Sequence, residues 1–105
     1  MAKDLRMSLL LSYYGEMLGE RTRTIAENYY YDDLSLSEIA ENIGISRQGV
    51  RDHILRADNA LLDLEQKLGF AARFQEISAA AHQIQVTQDA QALQELCRKI
   101  IQITD

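Results

Sequence analysis

The stretch that most restricts the fold is 35–54, SLSEIAENIGISRQGVRDHI, which carries start and stop signals for two helices only a few residues apart. Ser35 and Glu38 make a capping box: the serine hydroxyl can accept from the Glu38 amide while the glutamate carboxylate reaches back to the Ser35 amide. The helix so opened points Ile39, Ala40 and Ile43 inward and stops at Gly44, because glycine takes a left-handed backbone without a Cβ clash. Ser46 is the next N-cap, and a second helix starts at Arg47. Two helices joined by so short a turn must cross steeply and pack closely. That needs a small residue where they meet (Ala40), a turn residue tolerant of positive φ (Gly44), and apolar anchors one turn apart on the second helix (Val50 and Ile54). The pattern Ala-x3-Gly-x5-Val-x3-Ile meets all three and predicts a helix-turn-helix.

The second helix is long. Val50, Ile54, Ala57, Leu61, Leu64 and Leu68 alternate steps of 4 and 3, a heptad seam that predicts Arg47–Leu68, ended by Gly69. Upstream, Met7, Leu11, Tyr14 and Leu18 form one apolar row and Leu5, Leu9 and Tyr13 another. Both rows predict a helix over 5–18, ended by Gly19 and too wide for one buried stripe. A helix over 21–31 places Ile25, Ala26, Tyr29 and Tyr30 on one side, with Asp32 and Asp33 closing it. The run Tyr29-Tyr30-Tyr31 could stack bases, but aromatics at helical spacing read first as core, with Tyr31 the exposed one. Downstream, Phe70, Phe74, Ile77, Ala81 and Ile84 mark a further helix; after a break at Thr87-Gln88-Asp89, Leu93, Leu96, Ile100 and Ile103 mark the last. The fold class is therefore all-α: a helix-turn-helix bundle in a domain over 1–69, and a C-terminal helical extension over 70–105 for dimerisation or packing. The absence of Pro among 105 residues suits such a chain. So short a chain buries a modest core, which makes a homodimer a natural source of more.

Little in the sequence suits catalysis. His53 and His82 stand apart from Cys or carboxylate at ligand spacing, His53 reading as a helix residue at the solvent edge. Cys97, the lone cysteine, reads as a buried structural thiol in a reducing compartment. Asp32-Asp33 reads as a turn rather than an acid/base pair. No enzyme activity, metal or cofactor is expected. The start MAKDLRMSLLLSYYGEM lacks a cleavage pattern, and no run reaches membrane-spanning length, so a cytoplasmic location and no membrane partner are expected.

Charge gives a divided message. The formal net charge is -5, with pI near 4.9, which disfavours nucleic acid as a whole-molecule partner. Over 46–56, however, Arg47, Arg51 and Arg56 stand against Asp52 alone, a local net of +2. A helix start adds free amides suited to phosphate. Asp32, Asp33, Glu38 and Glu41 lie just ahead of the turn and oppose this, so nucleic-acid contact is expected to be weak for a single copy.

The helix-turn-helix resembles that of sigma-factor region 4. More closely, RMSLLLSYYGEML (6–18) and YYYDDLSLSEIAENIGISRQGVRDHILRADNALLDLEQKLG (29–69) resemble the YlxM-like family of small bacterial proteins. That resemblance implies an all-helical cytoplasmic protein with a regulatory link to the signal recognition particle pathway. The chain departs from the family pattern at Gly49, Arg51 and His53. Two functions follow. In the first, a regulator binds DNA, with Gln48 and Arg51 at base edges and Ser46, Arg47 and Arg56 at phosphates. In the second, the scaffold grips a protein or RNA of the signal recognition particle or transcription machinery, using the acidic balance, the off-seam Leu55 and Leu62 and the helix-rich tail.

Overall fold

The computed structural model describes Lys3–Thr104; Met1, Ala2 and Asp105, the outer ends of the two expected domains, lie outside the described residues. Among these residues the regular structure is entirely helical: α1 (Leu5–Tyr14), a 3₁₀ turn (Gly15–Met17), α2 (Glu20–Tyr30), α3 (Leu36–Ile43), α4 (Arg47–Leu68), α5 (Phe70–Val86) and α6 (Ala90–Thr104). The chain divides into two compact units, Met1–Leu68 and Gly69–Asp105. No helix of the described residues is long and apolar enough to cross a membrane.

In the first unit α4 is the axis on which α1, α2 and α3 pack. Ile25 from α2, Ile39 and Ala40 from α3, and Val50 and Ile54 from α4 form one buried cluster. Each of its isoleucine and valine side chains contributes roughly 1.5–3 kcal/mol through burial. Tyr29, Tyr30, Leu34, Leu36, Ile43 and Ile45 close its rim. The tyrosine run is thus largely core: Tyr29 and Tyr30 meet edge to face at 5.0 Å, and Tyr31 is exposed. Ala40 sits in this cluster, where its small size lets α3 approach α4.

Farther along α4 the seam is spent inside the unit. Ala57 and Leu61 are 0% exposed. The α1 side chains Met7, Leu10, Leu11 and Tyr14 are also buried, and the Tyr14 hydroxyl donates to Glu65 Oε1 of α4 at 2.6 Å. The seam over 57–68 is therefore core more than an open surface for a second copy: its inner half is buried, and Leu64 and Leu68 are half-buried. The second apolar row of α1 stays outside, with Leu5 and Tyr13 exposed. Helix α1 also stops earlier than its apolar spacing predicts. Gly15 is buried, and a Cβ there would lie 3.3 Å from Leu11 Cδ1. The backbone tightens into the 3₁₀ turn, and Leu18 and Gly19 then take extended conformations that lead into α2.

A part-buried polar contact helps bind α2 to α4: the Tyr30 hydroxyl donates to Asp58 Oδ1 at 2.7 Å. Burial, and next the bond to Asp58, raise the Tyr30 phenol above its ordinary 10.0. Burial also raises the Asp58 carboxyl, against the opposing effect of its bond to Tyr30. The sign for Tyr30 follows from linkage. The folded chain keeps this proton where the unfolded chain loses it, so the contribution is full below pH 10.0 and is lost as the pH climbs through the raised value. Tyr30→Phe is expected to lower stability at neutral pH by about 0.5–1.5 kcal/mol and to flatten the decline above pH 10.0. Urea melts at neutral and alkaline pH check both, and an equally steep alkaline decline in the variant rules out this role for Tyr30.

The second unit is a helical hairpin of α5 and α6. Its buried side chains are Ala71 and Ala80, small residues that let a neighbouring backbone come close. Of the apolar row that marks α5, Ile77 and Ile84 are half-buried while Phe70, Phe74 and Ala81 are exposed, and the two phenyl rings stack at 6.1 Å. On α6 Leu93, Leu96, Ile100 and Ile103 are half-buried, and none is fully covered. One partner helix covers only a narrow strip, so the wide faces remain open.

Candidate nucleic-acid interface

The site is built outward from the turn between α3 and α4. Ser35 accepts from the Glu38 amide at 3.1 Å, and Glu38 Oε1 accepts from the Ser35 amide at 3.2 Å, so the capping box is complete. At the other end of α3, Gly44 has φ 83 and ψ 33. In that left-handed state the amides of Gly44 and Ile45 both donate to the Ala40 carbonyl, at 2.9 and 3.2 Å. Any residue with a Cβ would be strained there, by roughly 1–2 kcal/mol. The double bond fixes where the chain re-enters helix two residues later.

Ser46 then caps α4, its hydroxyl accepting from the Gly49 amide at 2.9 Å. Gly49 sits under that cap; a Cβ there would stand 3.2 Å from Ser46 Oγ, so the glycine leaves the cap its room. The structure places Ser46, Arg47, Gln48, Arg51 and Arg56 all on the exposed surface of α4 and its cap. Among the described residues Arg47, Arg51 and Arg56 make neither ion pairs nor side-chain hydrogen bonds. Their charges are unspent. Gln48 differs, donating from Nε2 to Asp52 Oδ1 at 2.9 Å.

His53, on the flank of α4, is half-buried, at the edge between core and solvent. Its Nδ1 lies 2.9 Å from the hydroxyl of buried Thr22, so it ties α4 to α2. The acids ahead of the turn are partly answered. Lys3 pairs with Asp33 at 3.3 Å, donates to the Tyr29 and Leu34 carbonyls at 2.7 Å each, and sits 3.8 Å from the centre of the Tyr29 ring. Glu38 is engaged in its cap. Asp33 itself adopts φ 55, a left-handed turn position as its place after α2 suggests. The clamp by Lys3 escaped sequence reading because it joins residues about thirty positions apart.

Elsewhere the chemistry is sparse. Cys97 is exposed, which corrects its reading as a buried thiol: α6 has only one partner helix in its unit and covers no side chain fully. Among the described residues no three His, Cys, Asp or Glu side chains gather as they would to hold a metal ion.

Comparison with known proteins agrees with this geometry. Residues 1–101 match the model of the family described as "Putative helix-turn-helix protein, YlxM / p13 like". UPF0122 protein BH2485 of Halalkalibacterium halodurans is 38% identical over 103 residues, which cover 98% of this chain and 94% of that protein. UPF0122 protein Teth514_1714 of a Thermoanaerobacter species is 49% identical over 71 residues, 68% of this chain and 61% of that protein. UPF0122 protein STH1464 of Symbiobacterium thermophilum is 46% identical over 70 residues, 67% of this chain and 65% of that protein. The stretch shared with the last two thus spans somewhat under two thirds of each relative's length.

Proposed function

This chain belongs to the YlxM / p13-like helix-turn-helix family, and from that premise we propose that it binds double-stranded DNA as a regulatory protein, with the first turns of α4 as its reading head. One observation carries the reading: the exposed surface of α4 holds Arg47, Arg51 and Arg56, without ion-pair or hydrogen-bond partners among the described residues, directly behind a left-handed turn. A surface kept only for solubility usually pairs such charges or mixes them with acids. In this reading Gln48 and Arg51 meet base edges, while Arg47, Arg56 and the Ser46 end of the helix meet phosphates. Few phosphates are engaged per copy, so a homodimer belongs to the proposal, with the exposed outer row of α1 and the exposed faces of the α5–α6 hairpin as surfaces left for it. A tie to the signal recognition particle rests on resemblance alone and adds no residue to this site.

The experiment is a binding-site selection from random duplex DNA with the intact chain. Gln48→Ala combined with Arg51→Ala is expected to lose the wild-type sequence preference while keeping its melting temperature, because both side chains are exposed. The same selected sequence from both proteins overturns the reading.

A grip on a protein partner is the second reading, favoured by Leu55 and Leu62, which stand 48% and 40% exposed on α4. Making both polar should then abolish a protein complex and leave DNA binding intact.

A further inference from the structure

The outward centre of α4 is not arginine. With buried Val50 taken as the inward direction and about 100° per residue, Gln48, Asp52, Leu55 and Asn59 point most directly away from the core. All four are exposed. Arg47 and Arg51 flank this strip on one side and Arg56 on the other. A helix laid between the two phosphate walls of a major groove would offer Arg47 to one wall and Arg56 to the other, and the strip, with Arg51 at its edge, to the floor. The occupant that fits this charge layout is duplex DNA, whose floor is a row of base edges.

The strip has a definite chemistry. The bond from Gln48 Nε2 to Asp52 Oδ1, at 2.9 Å, commits one amide proton and holds the carboxylate in place. What the pair presents is mainly acceptor: Asp52 Oδ2 and Gln48 Oε1. Such a surface suits an exocyclic amino group. Guanine offers N7 and O6, both acceptors that a carboxylate repels, and adenine sets its N6 amino group beside the N7 acceptor, whereas cytosine offers its N4 amino group with no acceptor of its own beside it. Three residues on stands Leu55, 48% exposed. On the major-groove floor the apolar feature available to it is the thymine methyl.

We propose that Asp52, positioned by Gln48, accepts from the N4 amino group of a cytosine and that Leu55 packs on a nearby thymine methyl in the same major groove. This deepens the DNA-binding reading and rests on it. The carboxylate acts twice. It rewards the right base, and it repels guanine and phosphate at wrong sites, so sequence preference is obtained at the expense of general affinity.

The test is binding-site selection from random duplex with wild type, Asp52→Ala and Leu55→Ala. It is followed by direct binding to the wild-type site and to a copy in which the contacted thymine is replaced by deoxyuridine, which deletes only the methyl group. Asp52→Ala is expected to lose about tenfold of discrimination at one cytosine position and to hold random duplex more tightly. The uracil site is expected to bind wild type about fourfold more weakly and Leu55→Ala no more weakly than the thymine site. An unchanged cytosine position in Asp52→Ala, or an equal uracil effect in both proteins, overturns this proposal while the DNA-binding reading stands. A wild-type chain that selects no sequence at all overturns both.

Discussion

Leu61→Asp should unfold the first unit rather than separate two copies of the chain. Leu61 is 0% exposed, on the part of α4 where α1 and α4 pack together. Removing its side chain alone should cost about 2–5 kcal/mol. An aspartate adds the penalty of an unpaired carboxylate in an apolar site, several kcal/mol more unless it takes up a proton. Small domains are stable by only about 5–15 kcal/mol in total, so the unit should lose most or all of its cooperative melt. Leu61→Ala, a milder change, should leave a measurable but lowered transition. Circular dichroism melts and sedimentation together decide the matter. A variant that melts like wild type but sediments as a smaller particle would mean that this leucine lies between subunits, and the account of the core given above would be wrong.

Arg47→Ala with Arg56→Ala should weaken binding to random duplex DNA by roughly 60-fold at 0.1 M salt. The figure comes from counterion release: each phosphate contact contributes a slope of about -0.9 in log affinity against log salt, so two contacts make about 1.8 decades at that concentration. The salt slope should shrink by the same amount, about 1.8. Because neither side chain has a partner among the described residues, stability should move by no more than about 0.5 kcal/mol. Binding titrations at several salt concentrations provide the slope, and a slope equal to wild type removes these arginines from the phosphate contacts.

The two effects probe different things, and the residues behind them were legible in the sequence to different degrees. The turn was plain, since a capping box, a glycine and a second cap are local signals that act within four or five residues. Ser35, Glu38, Gly44 and Ser46 all behave as their types dictate. The candidate reading residues were equally legible as exposed, because helical periodicity places Gln48 opposite Val50 and Arg51 on the flank beside it. Burial in the second unit was not. The apolar row that marks α5 runs through Phe70 and Phe74, yet Ala71 and Ala80 are the residues covered. Periodicity says which residues share a face, but how much of a wide face is covered depends on how many neighbours press against it. For the same reason Cys97 is exposed on a helix whose pattern looked half core.

Sequence by itself determined the helices, their caps and the left-handed turn, because those depend on interactions between residues a few positions apart. Tertiary structure alone decided three matters. It used the α4 seam up against α1, closed the α2–α3 corner with Lys3 and drew His53 onto Thr22. Each joins groups 26 or more positions apart, and no local rule of backbone or spacing reaches that far. Such pairings are fixed only when helices pack and each polar group must find a partner to offset its lost water.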